Sequence, residues 1–199
     1  MQSIRDNFEE LRHRLGHGRT LDSTGTEPIY YLVFPVADIL EVKRQTKAWF
    51  SKLGNDGWNV VTLSAVDAID SVLQKHKMRK LWLTSEHQLL DLAERNHAPI
   101  DFREINKTLS KALTEGPELQ QYIETHLQVA ESHPHGLLLI TDLEALHPYL
   151  RINTIEAKLQ GRVRCPVVVL YPGKREGKTS LRFLEFYPAD PNYRSEHIG

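Results

Sequence analysis

The sequence predicts an α/β fold: a mainly parallel sheet flanked by helices. Three observations lead there. Four short runs, Ile29 to Phe34, Trp58 to Leu63, Gly136 to Thr141 and Val167 to Tyr171, are nearly continuous in apolar residues rather than alternating. Strands of that kind are buried on both faces, as in a parallel sheet covered by helices. Segments with apolar residues at helical spacing separate these runs. Size and composition then suit a single globular core, with 199 residues, 40% apolar and 26% charged.

The elements follow in order. Ile4, Phe8, Leu11 and Leu15 repeat at i, i+4, i+7 and i+11 and predict an amphipathic helix ending near Gly16. Gly18 to Pro28 reads as a flexible connector. Residues 1–28 thus form a helix on a lead, free to dock on the main body or on a partner, and 29–199 form the α/β domain. Ile29 to Phe34 is the first strand, closed by Pro35. Asp38 can cap a helix with Ile39, Val42, Trp49, Phe50 and Leu53 on its apolar side. Gly54 and Gly57 break it before the strand Trp58 to Leu63. Ser64 and Asp67 form a capping box for a helix carrying Ala65, Ile69, Val72 and Leu73. The middle, about 83–131, reads as helical: Leu83 to Asn96, although Lys80 to Leu83 also suits a short strand. Next come a helix boxed by Asp101 and Glu104 along Ile105, Leu109 and Leu113, and, after Gly116 and Pro117, one with Leu119, Tyr122, Ile123 and Leu127 inward. The parallel pattern resumes with Gly136 to Thr141, a helix Tyr149 to Leu159 led by Pro148, and the strand Val167 to Tyr171. Ser180 to Tyr187 reads as a C-terminal antiparallel strand at the sheet edge.

Charge and cysteine usage exclude several classes. Lys and Arg number 25 against 26 Asp and Glu, a net charge of −1, so there is no polybasic field to attract nucleic acid. The single cysteine, Cys165, forms no internal disulfide and suggests a reducing compartment. No apolar run approaches the ~20 residues of a membrane span, and Met1 to Asp6 lacks a signal-peptide core. The expectation is a cytoplasmic protein that meets no membrane.

Several motifs invite a catalytic reading. Gly173-Lys174-Arg175-Glu176-Gly177-Lys178-Thr179 resembles a phosphate-binding loop after a strand. Such a loop needs four residues between its glycines and a following helix, and this one has three and a following strand. A charged hairpin loop is the plainer reading. The expected position of a phosphate loop, after the first strand, holds Pro35-Val36-Ala37-Asp38, without glycine or lysine. Asp142 follows the strand ending at Thr141, where a nucleotide-binding sheet carries its magnesium ligand, but without a phosphate loop a metal has nothing to bridge, and an exposed turn or cap aspartate is the plainer reading. His133, His135, His147 and Cys165 lack metal-ligand spacing, as do His13 and His17. No Gly-x-Ser-x-Gly elbow is present, and Cys165, before Pro166 and Val167, suits a core thiol. Tyr149 and Arg151 sit on the ligand side of the sheet, where an arginine can pair with an anion, anchor a partner or simply fix its own loop.

Three segments carry a resemblance: Thr141-Asp142-Leu143-Glu144-Ala145-Leu146-His147-Pro148-Tyr149-Leu150-Arg151, then Cys165 to Gly173, then Asn192-Tyr193-Arg194. In order and spacing they are similar to the BrxB family of BREX phage-defence systems. The resemblance implies a core like a P-loop NTPase sheet that has lost its phosphate loop, no catalytic residue and no cofactor. It implies as partners a PglZ-like phosphatase-family protein, a large ATPase and a DNA methyltransferase, with DNA met only indirectly through the complex. One departure stands out: glycines are common in the family where this chain has Thr141 to Glu144.

The function expected is a non-catalytic scaffold, with Phe8, Leu11, Leu15, Tyr149, Arg151, Tyr193 and Arg194 as candidate partner-binding residues. A rival is a cryptic nucleotide binder or hydrolase using Asp142, Lys174, Arg175 and Lys178, with Arg151. A third reading is a DNA-backbone module using Lys174, Arg175, Lys178 and Arg182.

Overall fold

The computed structural model describes residues 3–17, 28–159, 161–177, 180–190 and 195–199. Its elements are α1 (Ile4–His17), β1 (Ile29–Phe34), α2 (Ile39–Asn55), β2 (Asn59–Ser64), α3 (Ala65–Lys75), α4 (Arg79–Asn96), α5 (Arg103–Glu115), α6 (Glu118–Ser132), β3 (Gly136–Thr141), α7 (Ile152–Leu159), β4 (Val167–Glu176), β5 (Ser180–Phe183) and β6 (Glu196–Ile198). Short 3-10 turns, Val36–Asp38 and Leu143–Leu146, follow β1 and β3. The strands run in the order β2-β3-β4-β1-β6, all parallel, and β5 pairs antiparallel with the outer half of β4. The predicted fold class is therefore the observed one.

Alternation along each strand divides the core into two layers. Tyr31, Val33, Leu138, Ile140, Val167 and Val169 face the layer formed by α3, α6, α7 and Leu113 of α5. Tyr30, Leu32, Phe34, Leu137, Leu139, Val168 and Leu170 face α1 and α2. Each such side chain contributes ~1.5–3 kcal/mol when fully buried, so both faces of the sheet stabilise the fold. Gly136 is required where β3 starts beneath α6: a Cβ there would lie 1.7 Å from the Ala130 carbonyl oxygen.

The N-terminal helix is part of this core. Phe8, Leu11 and Leu15 are buried against the sheet and α2, and Phe8 stacks on Trp49 with ring centroids 4.5 Å apart. Arg12 clamps Asp56 with two hydrogen bonds of 2.7 Å, Lys52 Nζ donates to Glu9 at 2.7 Å, and Arg14 pairs with Glu196. The connector, residues 18–27, lies outside the described residues. Of the two docking possibilities for Phe8, Leu11 and Leu15, the main body is the one observed, so these candidates are not a free partner surface: a stripe that suits a partner suits the chain's own sheet equally, and the sheet covers it.

Smaller differences have local causes. Lys80 to Leu83 is helical, inside α4. Phe50 is exposed, because one residue of helix turns it about 100° from buried Trp49. The side chain of Asp38 makes no cap hydrogen bond, whereas Ser64 Oγ accepts from the Asp67 amide. The helix predicted to be capped by Asp101 starts one residue later, with Phe102 at the cap position, and Asp101 accepts from the Arg103 amide at 3.0 Å. The strand expected over Ser180 to Tyr187 stops at Phe183, and the sheet's outer edge beside β1 is the parallel strand β6.

Candidate functional site

The carboxyl ends of β1, β3 and β4 converge with α2 on a crevice of about 240 Å³. Lys43 reaches into it from the first turns of α2, on the same helix face as Ile39. Its Nζ lies 2.9 Å from Asp142 Oδ1 and 2.6 Å from Glu144 Oε1. Thr141 Oγ1 donates to Asp142 Oδ2 at 2.7 Å. Burial alone would raise the Asp142 carboxyl, but the hydrogen bonds from Lys43 and Thr141 outweigh it and hold its pKa below the usual range. Both acids raise the Lys43 pKa, Glu144 foremost. The Asp142 carboxylate is thus engaged by an ammonium of the chain itself. Asp142 itself has φ 58°, a left-handed backbone that glycine adopts without strain and Asp tolerates.

Tyr149 and Arg151 lie in the loop after the 3-10 turn, which contains a cis bond between His147 and Pro148. The helix expected from Tyr149 begins at Ile152 instead. The Tyr149 carbonyl is taken by Ser110 Oγ at 2.8 Å, and the Leu150 amide turns back to Leu146 O at 2.7 Å. Tyr149 therefore faces a second cavity, of about 440 Å³, among α3, α4 and α5. Burial, then the nearby Glu86 carboxylate, raises its phenol pKa. Arg151 is exposed, with its guanidinium 4.7 Å from the Tyr187 ring centroid. His147 Nδ1 and Tyr187 OH are 2.5 Å apart, and the His147 ring meets Phe186 edge-on at 5.2 Å. Phe186 is 61% exposed. Leu184 and Glu185, with φ 50° and 62°, hold it out from the body, and Glu185 Oε1 ties this turn to the Val36 amide at 2.9 Å.

The remaining candidates separate from this corner. Gly173 and Gly177 serve the β4–β5 hairpin: a Cβ on Gly173 would meet Arg182 O at 2.2 Å, and Gly177 has φ 70°. Arg175 Nε donates to Gly177 O at 3.1 Å and Arg182 Nε to Glu176 Oε1 at 2.6 Å, while Lys174 is exposed. The Gly173–Gly177 stretch is thus a charged hairpin, which accounts for its departure from a phosphate loop. Lys178, Tyr193 and Arg194 lie outside the described residues. Cys165 is buried, and burial pushes its thiol up to about 11. His135 meets the Trp58 ring edge-on and His147 meets Tyr187. Among the described residues no three His, Cys, Asp or Glu side chains converge on a metal position. No described helix is long and apolar enough to cross a membrane.

Lys43, Glu144, Glu185, Phe186 and Tyr187 were not singled out in the sequence. One signal was available for Lys43: it lies one helical turn after Ile39 and beside Val42.

No curated protein and no solved structure matches the chain. A family match, described as BREX protein BrxB, covers residues 74–198, more than half of the chain. The matched stretch contains the Asp142–Arg151 corner, both halves of the β4–β5 hairpin and the Phe186–Tyr187 turn. The chain therefore belongs to the BrxB family and is a component of a BREX phage-defence system.

Proposed function

We propose that this BREX component is a non-catalytic scaffold that binds its companions through the aromatic and cationic corner of Arg151, Tyr187, His147 and Phe186. The companions are the PglZ-like protein, the large ATPase and the methyltransferase, with DNA reached through the complex. The observation that carries the reading is the exposed corner itself. An arginine stacked on a tyrosine beside a phenylalanine held 61% exposed has the residue types that anchor protein interfaces. The Lys43 ammonium between Asp142 and Glu144 supports the absence of nucleotide chemistry. It fits a core related to a P-loop sheet without the phosphate loop, in a cytoplasmic protein.

Co-purification of the tagged protein from cells carrying the whole defence system tests the reading. Phe186→Ala and Arg151→Ala should each reduce recovery of at least one companion while leaving the melting temperature close to the parent. Unchanged recovery in both variants would refute the assigned surface. Titration calorimetry with ATP and magnesium should give no saturable heat, and a saturable isotherm would reinstate the nucleotide-binding rival.

A further inference from the structure

We infer that α4 is a self-association helix, pairing antiparallel with α4 of a second copy of this chain. This rests on an observation independent of the corner described above.

Of the 18 residues of α4, Trp82 is the one that is buried, and Ser85, Leu89 and Ala93 are half-buried beside it. These four mark the side resting on the body. Along one flank of that side run Arg79, Leu83, Glu86, Leu90 and Glu94, at spacings of four, three, four and four, which is a single helical stripe. Leu83 is 44% and Leu90 41% exposed. Arg79 and Glu94 make no ion pair among the described residues. The stripe borders the 440 Å³ cavity, whose walls include Arg79, Trp82, Leu83 and Glu86 of α4, with Ile105 of α5 and Tyr149 across from them. The result is an apolar groove beside a helix that no element covers among the described residues.

The sequence of the stripe says what covers it. A two-fold axis between Glu86 and His87 sets Leu83 against Leu90 of the copy and Arg79 against Glu94 of the copy. These two pairs are apolar with apolar and acidic with basic, and each occurs twice by symmetry, as an isologous interface requires. A parallel arrangement would instead set Arg79 against Arg79 and Glu94 against Glu94. Exposed leucines at helical spacing with charges at the ends are the arrangement of antiparallel helix pairing. One helix pair buries less than the ~1,600 Å² of a standard interface, so the association is expected to be weak, with dissociation in the micromolar range.

Sedimentation velocity on the full chain, from low micromolar to several hundred micromolar, tests this. The parent should shift from monomer to dimer across that range. Leu83→Asp with Leu90→Asp should stay monomeric with an unchanged far-ultraviolet circular dichroism spectrum. Arg79→Glu and Glu94→Arg should each weaken dimerisation by about tenfold or more, because each sets like charges face to face. The Arg79→Glu, Glu94→Arg double variant should recover the parent affinity, a rescue that loss of fold cannot produce. A parent that is monomeric throughout, a dimer that survives the double aspartate change, or a charge-reversed double variant no tighter than the singles would each overturn the inference. Binding of some other protein to the groove in place of a second copy would appear as the first of these outcomes.

Discussion

Truncating Phe8 to alanine tests whether the N-terminal helix is structure or tether. Phe8 is 2% exposed, and its ring lies 4.5 Å from Trp49 with planes 10° apart. Removing a buried phenylalanine costs ~3–5 kcal/mol through lost transfer energy and the cavity left behind. The offset aromatic pair supplies ~0.5–1.5 kcal/mol of that. For a chain of this size each kcal/mol moves the melting temperature by ~2–4 °C, so a loss near 3 kcal/mol predicts a fall of ~6–12 °C. Leu11→Ala, at a position 0% exposed, should cost ~2–5 kcal/mol. Arg5→Ala, on the exposed side of the same helix, should stay within ~0.5 kcal/mol. Thermal melts by circular dichroism, with urea unfolding at 25 °C as a second measure, read all three. If Phe8→Ala and Leu11→Ala melt within ~2 °C of the parent, α1 is not a member of the core. Its apolar stripe would then be available to a partner.

Further outcomes follow from the same geometry. Lys43→Ala leaves Asp142 and Glu144 side by side and should destabilise the protein by ~1 kcal/mol, a figure kept low because the ammonium is partly solvated. The Asp142 pKa is lowered in the folded state, so its contribution is present above the ordinary carboxylate range and is lost as pH falls through the lowered value. Without Lys43 the burial effect dominates and acid unfolding should begin at higher pH; an unchanged acid transition would count against the ion cluster. His197 is 6% exposed and burial, with Arg175 nearby, lowers it to about 4. The unfolded chain therefore binds the extra proton first, and stability present above pH ~6.5 is lost on acidification toward the lower value, by no more than ~3 kcal/mol. His197→Phe should flatten the melting-temperature profile over that window, and a profile identical to the parent would refute the assignment. With its thiol pushed up to about 11, Cys165 should resist alkylation by iodoacetamide at pH 8 until denaturant is added. Rapid native modification, seen as a mass shift, would contradict its burial.

Much of the fold was legible because β1, β3 and the first half of β4 are covered on both faces, whereas β2, expected to be so, lies at the sheet edge and is only partly covered. Ile29 to Phe34 and Val167 to Tyr171 have no polar face to interrupt them, and that continuity implies a parallel sheet whatever the order of its strands. β6 escaped notice because Glu196-His197-Ile198 is too short to show a period, and it is a strand through its pairing with β1. The site was less legible for a related reason. Asp142, Tyr149 and Arg151 advertise themselves by their place after an apolar strand, while Lys43, Glu185 and Phe186 acquire meaning through neighbours about 100, 150 and 40 residues away in sequence.

By itself the sequence determined the sheet class, the core status of Cys165, the failure of the phosphate-loop motif and the family segments, because each depends on local spacing or composition. Tertiary structure alone decided that Phe8, Leu11 and Leu15 cover the chain's own sheet. An amphipathic stripe specifies that it must be covered, not by what. It decided equally that Lys43 bridges Asp142 and Glu144, since a charge pair is a matter of distance in space. Neither spacing nor composition records that distance.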